Sequence, residues 1–210
     1  MSPFTQLKRL GKVVPVLSFS SETEAVEGCT ALFDAGIRVF EITLRHPTAI
    51  EQIRTVKYLL GTEALVGAGT VTTVERAQRV RDAGADFGVS PGSTKPLLSW
   101  VREAEWSFLP GVGTITEAMS AADEGFVDLK FFPAEQSGGI GFLKAAAAVL
   151  PDLHFCPTGG LSPKNAADYL ALPNVPVIGG SWMMTRQDDG KLDLRQSGIA
   201  ARKIVEVFNP

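Results

Sequence analysis

The sequence predicts an α/β chain folded as one (β/α)8 TIM barrel across residues 1–210, with a short extra helix at its start. Three observations carry this. Short runs rich in β-branched and aromatic residues alternate with longer amphipathic runs. The alternation recurs at a spacing of roughly 20 residues, which suits a small barrel better than an open doubly wound sheet. No linker, low-complexity segment or run of charge divides the chain.

Taken in order, the residues before Val13 read as a short helix placed to close the bottom of the barrel. VVPVLSF (13–19) is the first strand run, and TEAVEGCTALFDAG (23–36) follows as a helix closed by a glycine. VFEITL (39–44) and ALVGAGT (64–70) come next, then the helical TVERAQRVRDAG (73–84), also closed by glycine. DFGVSP (86–91), SFLPGV (107–112), DLKFFP (128–133), HFCPTGG (154–160) and VPVIGG (175–180) complete the strand series. The strand starts are almost purely apolar. The strand ends carry EITLR, GAGT, VSPG, PGVGT, KFFPAE, PTGG and IGGS, and a TIM barrel places its chemistry at those ends.

Composition narrows the class. A content of 45% hydrophobic and 20% charged residues suits a globular protein, and a net charge of −3 argues against a nucleic-acid binder. Cys29 and Cys156 match no zinc-finger or redox spacing, and with two histidines they make a Cys/His metal site improbable. No segment reads as a signal peptide or a membrane span, so the expected setting is cytoplasmic, with reduced thiols.

The chemistry is expected around Lys130, in the middle of the apolar run DLKFFPAE. Side chains alternate along a strand, so Glu41, Thr43 and Arg45 share one face of FEITLR and Phe40, Ile42 and Leu44 the other. The apolar set suits the helix layer, which turns the polar set inward. The same parity groups Lys130 with Phe132 and places Lys130 near Glu41 and Arg45. An ammonium group desolvated in an apolar pocket beside a guanidinium loses proton affinity and becomes a nucleophilic amine. Such an amine forms a Schiff base with a ketone, and the protonated imine draws electrons from an adjacent carbon–carbon bond. Glu41 is the available proton carrier, and Arg45 is suited to a carboxylate. Together they describe an aldolase acting on a 2-keto acid. The competing reading of Lys130 is a structural ion pair with Glu41.

Two glycine pairs end adjacent strand runs, Gly159–Gly160 in PTGGLSP and Gly179–Gly180 in IGGSW. Phosphate sites of TIM barrels commonly stand there. Glycines let backbone N–H groups approach an anion, Ser181 adds a hydroxyl, and Ser162–Pro163 reads as an N-cap and first helical residue. No lysine or arginine stands in either loop, so the phosphate is expected to be held mainly by dipoles. Thr70 and Pro91 are weaker pocket candidates, with turn roles as the alternative. His46, His154, Cys156, Trp100 and Trp182 read as packing or surface residues.

With these residues in place, the chain resembles the 2-keto-3-deoxy-6-phosphogluconate (KDPG) aldolase and 4-hydroxy-2-oxoglutarate aldolase family. The likeness runs from about Val14 to Trp182 through VVPV, EITLR, VGAGTV, SPG, KFFPAE, FCPTGG and IGGSW. It implies a class I lyase of the Entner–Doudoroff route, homotrimeric, with no metal or other cofactor. By that resemblance Lys130 forms the Schiff base and Glu41 is the acid/base. Arg45 and Thr70 bind the carboxylate end of pyruvate, Pro91 and Phe132 shape its pocket, and Thr158 stands beside the sugar chain. Gly159, Gly160, Gly180 and Ser181 hold the phosphate of a small-molecule 2-keto acid phosphate substrate. His46 stands where many relatives have threonine, and nothing is carried over to the tail after Trp182. A phosphosugar isomerase or epimerase barrel would share the phosphate loops without needing the lysine. A non-catalytic phosphometabolite-binding barrel would leave the lysine and glutamate without a role.

Overall fold

The computed structural model describes residues 3–208. Strands β1 (Val13–Leu17), β2 (Val39–Thr43), β3 (Leu65–Gly69), β4 (Phe87–Val89) and β5 (Phe108–Leu109) come first in the chain. They are followed by β6 (Gly111–Val112), β7 (Asp128–Phe131), β8 (His154–Pro157) and β9 (Ile178–Gly180). Every ladder between them is parallel. Six strands form a half-barrel in the order β5-β4-β3-β2-β1-β9, and β6-β7-β8 form a second sheet. The expected single strand over 107–112 is divided at Pro110, which has no N–H to give to a ladder. Its carbonyl still accepts the Lys130 amide at 2.8 Å.

Helices fill the connections: α1 (Pro3–Leu10), α2 (Glu22–Asp34), α3 (Ala49–Leu60), α4 (Val74–Asp82) and α5 (Lys95–Glu103) precede α6 (Ile115–Asp123), α7 (Gly139–Val149), α8 (Ala166–Leu170) and α9 (Leu194–Phe208). Their starts follow local chemistry. Ser21, Thr73 and Thr114 each accept the backbone N–H three residues on, from Glu24, Arg76 and Glu117. The expected closing glycines, Gly36 and Gly84, stand just past the C-caps Ala35 and Ala83, with φ of +102° and +93°.

Two buried clusters separate the two faces of the strands. The larger one joins Phe40, Ile42, Leu129, Phe131 and Phe155 to helix residues such as Leu32 and Leu143. The smaller one gathers Val14, Val39, Phe87, Leu109, Cys156 and Val177 on the opposite face, with Leu7 of α1 packed among them. Leu7 thus packs the N-terminal helix against the inner layer. No described helix is long and apolar enough to cross a membrane.

Candidate active site

Alternation along β2 builds the first half of the site. Phe40 and Ile42 enter the helix-facing core and Val39 the inner cluster. Glu41 and Thr43 are buried on that inner side, where the Thr43 hydroxyl donates to the Leu17 carbonyl at 2.9 Å. Arg45 follows beyond the strand end and is exposed. A side chain at Gly69, on the neighbouring β3, would collide with the carboxylate of Glu41, so glycine there makes room for it.

The second half comes from β7. Leu129 and Phe131 face the helices, which turns Asp128 and Lys130 inward. Lys130 is 6% exposed and Glu41 3%, and Lys130 Nζ donates to Glu41 Oε1 at 3.1 Å. Eighty-nine residues separate the two in sequence. The Nζ also stands 5.4 Å from the centre of the Phe132 ring. Breaking a buried pair of this kind strands a charge, which costs about 3–5 kcal/mol. The pair is therefore structural as well as available for chemistry. Cys156 is in register with Lys130 on β8, and burial pushes its thiol up to about 12, which makes it inert.

Above this pair lies a cleft of about 420 Å³. Its lining includes Thr43, Arg45, Phe132, Thr158, Gly159, Gly160, Gly180 and Ser181. Lys130 and Glu41 lie one strand repeat deeper, beneath Phe132 and Thr43. Thr158 is buried, and its hydroxyl reaches the Cys156 carbonyl at 3.4 Å. Gly159 and Gly160 have φ of +100° and +81°, backbone that side-chain-bearing residues rarely adopt. Successive amides in such a turn form a concave group of N–H donors suited to an anion.

Several expectations change. Thr70 and Pro91 do not line the cleft: they are half-buried at the ends of β3 and β4. Thr70 is nonetheless held at φ +62°, an unusual conformation for a β-branched residue and one that strains the backbone. Ser162 is not the N-cap of a helix. Residues 163–165 form a turn and α8 starts at Ala166 behind Asn165, whose side chain accepts the Ser162 amide at 2.8 Å. Gly180 is small for a reason the sequence hides, since a side chain there would overlap the Trp182 ring. Finally, the end of the cleft formed by the glycine loops, where only dipoles were expected, also holds a cation. Arg186, Met184 and Ser18 line the cleft beside the glycine loops. Arg186 follows the second loop by several residues, in the tail to which no role was carried over, and only its position in space connects it to the site.

A family model described as KDPG and KHG aldolase matches residues 5–196. The KHG/KDPG aldolase of Escherichia coli K12 is 45% identical over 174 residues, covering 83% of this chain and 81% of that protein. The 2-dehydro-3-deoxy-phosphogluconate aldolase of Zymomonas mobilis ZM4 is 39% identical over 203 residues, 97% of this chain and 95% of that one. Among solved structures, KDPG aldolase from Legionella pneumophila holds pyruvate captured at low pH as a covalent carbinolamine intermediate. It superposes with a TM-score of 0.90 at 35% identity, over 97% of this chain and 98% of that one. Motif order, fold and near-complete coverage agree, and the chain belongs to the KDPG and KHG aldolase family.

Proposed function

We propose that this protein is a class I aldolase that cleaves KDPG to pyruvate and glyceraldehyde 3-phosphate. The same site would split 4-hydroxy-2-oxoglutarate to pyruvate and glyoxylate. The observation that carries the reading is the buried pair of Lys130 and Glu41, 3.1 Å apart beneath a cleft with Arg45 at its edge. A nucleophile with a proton carrier in hydrogen-bond reach is what imine chemistry requires.

The steps follow from that pairing. The Lys130 amine adds to the keto carbon of the substrate to give a carbinolamine, the kind of adduct captured with pyruvate in the Legionella relative. Loss of water leaves a protonated imine. Glu41, directly or through a water, takes the proton of the hydroxyl on C4. The C3–C4 bond breaks, its electrons pass into the iminium to give an enamine, and the aldehyde departs. Glu41 then returns a proton to C3, and hydrolysis of the imine frees pyruvate and the lysine.

In this reading Arg45 holds the carboxylate and Phe132 encloses the pyruvate methyl, while Thr70 and Pro91, past the ends of β3 and β4 and outside the cleft's lining, would complete that end of the site when substrate is bound. Thr158 meets the sugar chain, and Gly159, Gly160, Gly180 and Ser181 hold the phosphate. We also propose that the two sheets are parts of one closed eight-stranded barrel. Supporting this are the parallel bridge from Thr158 to Gly179, the continuity of the chain through Pro110, and the inner cluster shared by strands of both sheets. A homotrimer rests on the family resemblance, and a cytoplasmic location on the composition and net charge of the chain.

Borohydride reduction in the presence of pyruvate tests the assignment. One adduct is expected, mapped to Lys130 by peptide mass, and none in Lys130→Ala. Lys130→Met keeps more of the packing and should behave alike. An adduct on another lysine, or one that persists in both variants, would sink the reading.

A further inference from the structure

The glycine loops offer N–H dipoles to a phosphate, but a phosphate monoester carries between one and two negative charges near neutral pH. Arg186 places a full positive charge against the same end of the cleft. Only two cationic side chains line the cleft among the described residues, Arg45 and Arg186. Arg45 follows β2, Arg186 follows β9, and β1 lies between those strands. The cleft therefore presents guanidinium groups from two separate strand ends, an arrangement suited to a ligand with an anion at each end.

Arg186 is held by partners it can exchange. Its Nη1 donates to Glu24 Oε1 at 2.5 Å and to the Gly190 carbonyl at 2.7 Å, and Nη2 donates to the Ser18 carbonyl at 3.2 Å. The Gly190 bond sits inside a small hairpin, in which Arg186 pairs with Leu192 and the Gln187 amide donates to Lys191. Ser18, like Arg186, lines the cleft. The Arg186 side chain is 37% exposed and that of Glu24 only 13%. Burial alone would raise the Glu24 carboxyl, but hydrogen bonds from Arg186 and Ser20 outweigh it and hold the group below its ordinary value. Glu24 does not depend on Arg186 alone. The Ser20 amide and hydroxyl donate to its other oxygen at 2.6 and 2.8 Å. Turning the guanidinium away would leave the carboxylate with partners, so the exchange strands no charge.

We propose that Arg186 is a specificity residue for the phosphate end of the substrate. It rests against Glu24 in the free protein and turns its guanidinium to the phosphate when the ligand enters. This rests on the aldolase reading of the same cleft. A phosphate oxygen pair matches the planar fork of arginine better than a single carboxylate oxygen does. The hairpin holds the Arg186 backbone beside the loops, so only the side chain has to reorder on binding.

Calorimetric titration with glycerol 3-phosphate, an unreactive three-carbon phosphate monoester, tests this on the wild type, Arg186→Gln, Arg186→Lys and Glu24→Gln. Arg186→Gln should weaken binding by about 10- to 100-fold, the range for a lost hydrogen bond between charged groups. Arg186→Lys should fall between it and the wild type. Glu24→Gln breaks the same ion pair but leaves the guanidinium, so it should bind as tightly as the wild type or more tightly. Three results would overturn the proposal: no wild-type binding, unchanged binding in Arg186→Gln, or equal weakening in Arg186→Gln and Glu24→Gln. The last would mean that the pair only braces the hairpin. Borohydride trapping of pyruvate by the same proteins reports the aldolase reading separately. Loss of the adduct in the wild type would defeat that reading whatever the titration shows.

Discussion

The floor and the rim of the cleft are built by different rules. The floor is two side chains, Lys130 and Glu41, each buried on a strand and aimed inward by the alternation of β7 and β2. The rim is backbone and loop: Gly159 and Gly160 in a left-handed turn, Ser181 beyond β9, and Arg186 brought back by a hairpin. The floor tolerates little movement because packed strands hold it on every side. The rim depends on groups that solvent reaches and that loops position. In the aldolase reading the floor makes and breaks bonds, while the rim selects what arrives.

Substitutions can break that contrast, and the largest effect is expected on the floor. Glu41→Gln keeps the shape and loses the proton carrier. Exchange of the pyruvate methyl protons in deuterated water, followed by NMR, should slow by roughly 10²- to 10⁴-fold. Exchange at the wild-type rate would move the role to another residue.

Gly69→Ala tests whether the floor is fixed by packing. Its methyl group would press on the Glu41 carboxylate. A displacement near 1 Å should lower kcat by about 10²-fold, while binding of glycerol 3-phosphate at the rim should hardly change. A variant that loses both together would show that floor and rim are not separable.

Ser181→Ala sharpens the rim. It should cost about 1.5–3 kcal/mol in kcat/KM for the phosphorylated substrate, as a hydrogen bond to a charged group does. Cleavage of 4-hydroxy-2-oxoglutarate, measured beside it, should fall far less. Gly180→Val is a poor partner for this test. Its side chain would strike Trp182, so it reports on packing before it reports on phosphate.

The smallest expected effect is none. An imine supplies the electron sink that a divalent cation supplies in metal-dependent aldolases. Exhaustive dialysis against EDTA should leave turnover of both substrates unchanged. Activity that disappears and returns with zinc, magnesium or manganese would count against the imine.

The two regions also differ in how far they could be read from the chain. A strand has a period of two, so parity alone turned Glu41, Thr43 and Lys130 inward, and their apolar neighbours Phe40, Ile42, Leu129 and Phe131 do face the helices. The strand and helix alternation, the parallel pairing and the glycines near helix ends were legible for the same reason, since they depend on short-range patterns. Loop geometry has no such period. Ser162–Pro163 has the form of a helix start, and Ser162 does accept the Lys164 amide on its hydroxyl at 3.3 Å and the Ala166 amide on its carbonyl at 3.0 Å, yet those bonds close only a turn and α8 begins at Ala166 behind Asn165. The turn signal was real, but local chemistry offered two ways to satisfy it.

What the sequence determined by itself was the alternating architecture, the inward face of each strand and the residues able to carry the chemistry. These follow from backbone periodicity and side-chain polarity, which need no knowledge of distant neighbours. Only the tertiary structure brought Glu41 within 3.1 Å of Lys130 and Arg186 against Glu24, 162 residues away. It alone revealed that Gly69 and Gly180 are small to admit Glu41 and Trp182. Such contacts depend on how packed elements and returning loops fill three-dimensional space, and no one-dimensional pattern records them.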